Sequence, residues 1–287
     1  MTLTSSLAKV TATPVTPNIG AVIDGIDLTD SSPDNIAAIY QLLLEHGVLF
    51  FRNSMLEPEQ HKALARGFGK PSIFPLFELL VKPGSEPEFL TDIVDAHDDP
   101  PKADIWHTDV TWVAEPPKLA ILQAVDVPAS GGDTLWADLH AAYETLSPPM
   151  QDFFDGLVVT HRVSEVILDA ARRGGEKLAS MLLEKFPPVQ HPLVRTHPET
   201  GRKALFVADE FMIAIDGMHE DESQMWLDWL RDYINNPNFH VRWSWTQGDL
   251  AIWDERRTNH RALSNHYPSY RHMRRCTVAG DKPYFKD

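Results

Sequence analysis

Three residues of this chain have the chemistry and the spacing to hold a metal ion. His107 and Asp109 are separated by one residue in IWHTDVT (105–111), and His260 lies far along the chain in WDERRTNHRA (253–262). In a strand, positions i and i+2 point to one face, so an imidazole and a carboxylate would project together. A salt-linked surface pair would use the same two residue types. Two histidines and one carboxylate also match the facial triad that binds non-haem Fe(II) and leaves three coordination positions open. A bidentate cosubstrate can take two of those positions and O2 the third. His260 follows the strand-like run GDLAIWD and a short polar turn, a sequence expected at the mouth of a barrel.

Two arginines come next. Arg271 and Arg275 in YRHMRR (270–275) are two strand periods apart, so their side chains are expected on one face. Guanidinium forks recognise carboxylates and sulfonates through two parallel hydrogen bonds. Alternation turns Arg274 away from Arg275. Asp254 is read as the residue that fixes the turn before His260, and Arg256 is left outside the site. The remaining histidines have no triad spacing.

Positioning these groups requires a sizeable scaffold. A chain of 287 residues with 43% hydrophobic and 23% charged side chains suits one large globular domain, 1–287. The net charge of −15 excludes nucleic acid and anionic membrane as expected partners. An anionic substrate would need local arginines against that field. A single cysteine, Cys276, excludes an intramolecular disulfide and a CxxC zinc site. With no disulfide framework and no signal segment, the expected location is cytoplasmic. Residues 1–14 are read as a frayed terminus. No apolar run approaches the ~20 residues of a membrane helix.

Residues 18–28 read as a strand pair broken at Gly25. Apolar periodicity predicts a helix over 33–46, stopped by Gly47, then a buried strand VLFF (48–51). A second helix starts at Pro58 and is expected to end at Gly67 and Gly69. Residues 70–105 are loop-rich and carry Asp95, Asp98 and Asp99; loops of that length are usually functional. Strands are expected at 119–125 and 133–137, followed by a helix interrupted at Ser147-Pro148-Pro149. Residues 163–188 read as two helical pieces hinged at Gly174-Gly175, a lid insertion. Strands at 191–196 and 204–207, a helix over 220–233, and strands at 241–245, 249–254 and 271–279 complete the chain. The pattern predicts a mainly β fold with helical additions, a sandwich or jelly roll rather than a doubly wound sheet.

HTDVT, GGDTLW (131–136), HPLVRTHPETG (191–201), WDERRTNHRA, YRHMRR and GDKPYF (280–285) occur in the order found in taurine/2,4-D-type dioxygenases. From about residue 15 to its end the chain resembles this TauD/TfdA family. The resemblance implies a double-stranded β-helix (jelly roll) core, Fe(II), and 2-oxoglutarate and O2 as cosubstrates. It matches His107, Asp109 and His260 to the iron ligands. Thr134 matches the residue that hydrogen-bonds 2-oxoglutarate, and Arg271 matches the arginine that pairs with its distal carboxylate. Arg275 matches a second arginine, on the metal side, that holds a substrate anion or the cosubstrate's carboxylate. Glu255 stands where the family usually has Asn.

The implied reaction couples decarboxylation of 2-oxoglutarate to hydroxylation of a small anionic substrate, often with cleavage next to a heteroatom. Asp109 argues for hydroxylation, since related halogenases lack this carboxylate. Taurine-specific relatives hold an ammonium with His, Tyr and Asn where this chain has Phe74, Phe77 and Ala103. Phe74 and Phe77, with Ile73, Pro75, Leu76 and Trp112, are read as an apolar wall. The expected substrate is therefore an alkyl sulfonate, alkyl sulfate or aryloxy acid, with taurine as the alternative. A homo-oligomer, dimer or tetramer, is the expected assembly. Two other classes compete: a metal-dependent hydrolase, which would not need Arg271, Arg275 or GGDT, and a non-catalytic jelly-roll binding protein, which would tolerate loss of a triad residue.

Overall fold

The computed structural model describes residues 10–81, 84–85 and 88–287. Strands β1 (Thr11–Pro14) and β2 (Ala21–Asp24) lead into helix α1 (Pro33–His46), β3 (Val48–Phe51) and α2 (Pro58–Phe68). There follow β4 (Pro71–Ser72), the short α3 (Pro75–Glu78), β5 (Thr91–Asp95), β6 (Leu119–Asp126) and β7 (Thr134–Asp138). The middle of the chain holds α4 (Leu139–Glu144), α5 (Pro148–Phe154), β8 (Val158–His161), α6 (Glu165–Arg173) and α7 (Glu176–Lys185). Strands β9 (Val189–Pro192), β10 (Val194–Thr196), β11 (Lys203–Leu205) and β12 (Met212–Ile215) precede α8 (Glu220–Ile234). The last strands are β13 (His240–Trp243), β14 (Leu250–Asp254), β15 (Thr258–Ala262) and β16 (Arg271–Val278).

The large sheet runs β1-β2-β3-β14-β6-β16, with β4 and β5 both on the free side of β16. Only β2 and β3 pair in parallel in this sheet. A three-stranded sheet, β13-β7-β15, lies over it. The sequence alternation explains the sandwich. Val48, Phe50, Ala120, Leu122, Ala251 and Trp253 point between the sheets, where they meet Trp136, Val241 and Trp243. Their neighbours Leu49, Phe51, Leu119, Ile121, Leu250 and Ile252 point the other way, under Ile36, Ile39, Leu43 and Leu64 of α1 and α2. Covering both faces is why VLFF is apolar at every position. The architecture is mainly β with helical additions. Among the described residues no helix is long and apolar enough to cross a membrane.

Several expectations change. Residues 11–14 form β1 rather than part of a frayed terminus, paired with 21–24; residues 1–9 lie outside the described residues. Helix α2 continues through Gly67 to Phe68. A Cβ at Gly67 would come within 2.5 Å of Ile36, so that glycine serves close helix packing, not termination. The strand expected at 191–196 divides at Leu193: β9 pairs with β8, and β10 with β11. The loop-rich segment contains β4, α3 and β5.

Candidate active site

The largest local departure from the sequence reading is IWHTDVT, which is not a strand. His107 makes a single antiparallel bridge to His260, with His107 N–H donating to the His260 carbonyl at 2.9 Å and the reverse bond at 2.7 Å. The chain then turns at Asp109-Val110. Val110 takes φ 56°, a conformation a β-branched residue adopts only when its surroundings impose it. Glu255 lies against this turn: its Oε2 accepts the Asp109 N–H at 3.1 Å while its Oε1 accepts the Trp253 indole N–H at 2.7 Å. His260 follows the strand β14 and a short turn, as expected, and sits in the middle of a further strand, β15, because 258–262 pair along all of β7.

These contacts bring the three candidate ligands together. One ligand atom from each of His107, Asp109 and His260 lies within 4.8 Å of the others, and all three residues are buried. Nε2 of His107 and Nε2 of His260 stand 3.8 and 4.0 Å from Asp109 Oδ1. His107 Nδ1 lies 2.9 Å from the Ile105 carbonyl. That carbonyl can only accept, so Nδ1 carries a proton and Nε2 is the ring atom turned toward Asp109. Burial, with His107 beside it, holds the His260 imidazole well below its ordinary pKa, hence neutral. Burial opposes ionisation of Asp109, but its neighbours, the charged Arg275 foremost, outweigh it and hold the carboxyl below the usual range. Two imidazoles and a carboxylate turned to one point fit a divalent metal ion.

Arg275 Nη1 donates to both Asp109 oxygens, at 2.8 and 3.1 Å. Arg271, Met273 and Arg275 share one face of β16 and one cavity of about 290 Å³. His107, His260, Thr134 and Ala103 line the same cavity. Thr134 Oγ1 accepts the Trp245 indole N–H at 3.0 Å, which leaves its own hydroxyl proton free for a ligand. Gly132, at φ 70°, lets Arg271 pass: a Cβ there would sit 3.0 Å from Arg271 Cδ.

Other candidates are distributed differently. Phe74 lies in a narrow cleft with Arg275 and Val110, and its ring packs edge-on to Trp112 and Phe77. Phe77 is 40% exposed and faces a separate surface groove with Leu80 and Leu90. Arg274 turns from the cavity to Asp92, at 3.0 Å. Asp254 binds Arg256 and His197 at 2.6–3.0 Å and contacts no triad residue. Two participants were missed. The contact of Glu255 with Asp109 was not foreseen, although its departure from Asn was the available signal. Asp95 contacts Arg271, and only its membership of the acidic cluster marked it.

Burial first, then the neighbouring Asp109, pushes the Glu255 carboxyl well above the ordinary range. Of the two neighbouring carboxyls, Asp109 is therefore the more acidic.

The family model for "Taurine catabolism dioxygenase TauD, TfdA family" matches residues 11–277. An alkylsulfatase of Acinetobacter baylyi is 34% identical over 276 residues, 93% of this chain and 84% of that protein. An alpha-ketoglutarate-dependent sulfate ester dioxygenase of Pseudomonas putida is 34% identical over 278 residues, 94% of this chain and 89% of that one. The crystal structure of a taurine dioxygenase from Burkholderia xenovorans superposes with a TM-score of 0.80 at 35% identity, covering 97% of this chain and 92% of that one. Fold and relatives define an alpha-ketoglutarate-dependent dioxygenase, an oxidoreductase. The chain belongs to the TauD/TfdA family.

Proposed function

We propose that the protein uses Fe(II), 2-oxoglutarate and O2 to hydroxylate a small anionic organic substrate, an alkyl sulfate, alkyl sulfonate or aryloxy acid. The observation that carries this reading is one cavity lined by His107, His260, Thr134, Arg271 and Arg275, with Asp109 against both histidines. His107, Asp109 and His260 would hold the iron. The bound metal and cosubstrate supply the oxidising chemistry. This chain's residues bind, orient and exclude water. Arg271 and Thr134 would receive the distal carboxylate of 2-oxoglutarate. Arg275 would turn from Asp109 to the substrate's anionic head once a metal ion neutralises that carboxylate. Ala103, beside His107 in the cavity, and Phe74, beside Arg275, offer an ammonium no partner, which argues against taurine.

The two stacked sheets support a double-stranded β-helix (jelly roll) core, in one domain. Helices α6 and α7 pack on Val110 and Trp112 next to the Asp109 turn, which supports reading 163–188 as a lid over substrate. Hydrogen exchange there should slow when Fe(II), 2-oxoglutarate and substrate are all present; equal exchange would make α6 and α7 a static cover. The reaction itself is tested by succinate formation that depends on Fe(II), O2 and a member of a sulfate, sulfonate and aryloxy-acid panel. Hydrolytic release of sulfate without 2-oxoglutarate would defeat the proposal.

A further inference from the structure

Asp95 and Arg271 are directly opposite each other in the β5–β16 register. Arg271 Nη1 donates to Asp95 Oδ2 at 3.4 Å, and the same oxygen lies 3.3 Å from His266 Nε2. The rest of the guanidinium is different. Nε and Nη2 are buried and have no hydrogen-bond partner among the described residues. Gly132 closes one flank, because a Cβ there would sit 3.2 Å from Nε and 3.2 Å from His266 Nδ1. Arg271 thus has one committed nitrogen and one free edge. An Nε–Nη2 edge presents two parallel N–H groups, the geometry that grips a carboxylate bidentately. Leaving two buried charged donors unpaired is unfavourable, and an anion brought to this edge would remove that cost.

We infer that Asp95 is a positioning residue for the cosubstrate: by holding Nη1 it turns the Nε–Nη2 edge of Arg271 toward the distal carboxylate of a 2-oxo acid. The inference rests on the reading of Arg271 given under the proposed function. It extends that reading to selectivity. A guanidinium fixed from behind meets a carboxylate at one distance from the metal site, so it selects one chain length. A released guanidinium, with four rotatable bonds, follows a longer acid. The carboxylate of Asp95 also repels the incoming anion. The opposite idea, that Asp95 only occupies Arg271 in competition with cosubstrate, therefore predicts the opposite sign.

The test uses the full chain loaded with Mn(II), with binding of 2-oxoglutarate and 2-oxoadipate measured by calorimetry. Asp95→Ala should weaken 2-oxoglutarate about tenfold, the size of one lost charge-assisted hydrogen bond. It should weaken 2-oxoadipate less, so discrimination between the acids falls. Succinate turnover at saturating 2-oxoglutarate and the primary substrate's KM should stay within about twofold, since neither depends on this contact. Asp95→Asn keeps an oxygen for Nη1 and should stay within about threefold of the parent. If Asp95→Ala does not fold, Asp95→Ser, whose hydroxyl stops short of Nη1, carries the same expectation. Unchanged or tighter 2-oxoglutarate binding in the Ala or Ser variant, alongside its loss in Arg271→Ala, would overturn the role of Asp95 and leave that of Arg271 standing. Unchanged binding in Arg271→Ala would instead remove the reading on which the inference rests.

Discussion

Around His107, Asp109 and His260 most neighbours are buried, whereas the described parts of the opposite wall, 74–81 and 88–102, are built on short elements with much of their side-chain surface open. The inner half hangs on β14, β15 and the turn between them. Trp253 and Glu255 grip the Asp109 turn, and Asp254 gathers Arg256 and His197 behind it. Thr108 and Asn259 add bonds to Thr258 and Val207. The outer half has β5, held along one edge by β16, and the four-residue helix α3. Chemistry that must not move sits where the backbone is over-determined. The residues proposed to select the substrate sit on elements that a few substitutions can reshape. Each prediction below strikes one half and asks whether the other responds.

The largest effect is expected at the ligands. His107→Ala, Asp109→Ala and His260→Ala should each abolish succinate formation and greatly weaken Mn(II) binding, read by calorimetry on the folded variant. Full turnover in any one of them would remove that residue from the triad and dissolve the distinction between the two halves.

Next is the network behind the inner half. Burial opposes ionisation of Asp254, but Arg256 and His197 outweigh it and hold the carboxyl far below the usual range. Its folded pKa lies below its unfolded one, so its stabilisation is complete above about pH 4 and is lost as pH falls below that. Asp254→Asn leaves the buried Arg256 with Glu199, 2.6 Å from its Nη1, as carboxylate partner and should cost up to about 3–5 kcal/mol at neutral pH. Chemical denaturation from pH 7 to pH 3 should find the difference between parent and variant shrinking on the acid side. A constant difference would mean that charge is not what Asp254 contributes.

Between the halves stand Arg271 and Thr134, the residues proposed to hold the cosubstrate. Arg271→Ala should raise the apparent 2-oxoglutarate constant by an amount equivalent to about 2–5 kcal/mol. Thr134→Ala removes a neutral hydroxyl and should cost only about 0.5–1.5 kcal/mol. Steady-state titration of 2-oxoglutarate measures both, and equal effects would contradict the assignment of the charged contact to Arg271.

What could be read from the sequence follows the same division. Ligand types and the β16 alternation were legible, because donor chemistry and strand period are properties of the residues themselves. So were α1 and VLFF, where local periodicity and burial agree. The path of the backbone through Asp109 was not. Among its contacts is a carboxylate from the turn after β14, Glu255 on the Asp109 N–H, and no local pattern in IWHTDVT encodes that contact. Asp95 opposite Arg271 was hidden for a related reason. Strand β5 is short, lies among prolines and acidic residues, and gains its place only by pairing with β16. Phe74 and Phe77 looked equivalent as apolar residues near each other. The turn of α3 separates them, one toward Arg275 and the other toward solvent.

The smallest predicted effect tests that separation. Each CH₂ of an alkyl tail buried from water should contribute about 0.8 kcal/mol, so affinity should rise roughly fourfold per carbon until the available wall is covered. Taurine gains none of this and must desolvate its ammonium. The cavity's carboxylates offer it little, because Asp95 is engaged by Arg271 and His266, Asp92 by His272 and Arg274, and Asp99 by Lys102. Hexyl and octyl sulfates or sulfonates, or an aryloxy acid, should therefore exceed taurine at least about tenfold in kcat/KM, a difference of about 1.4 kcal/mol. Phe74, edge-on to Trp112 and beside Arg275, should set part of the ladder's slope: Phe74→Ala should flatten it while leaving 2-oxoglutarate binding unchanged. Phe77→Ala, on the exposed side, should leave the slope as it was. Equal flattening by both variants would join the two phenylalanines into one substrate wall, and a preference for taurine over the longer anions would remove the apolar wall from substrate choice altogether.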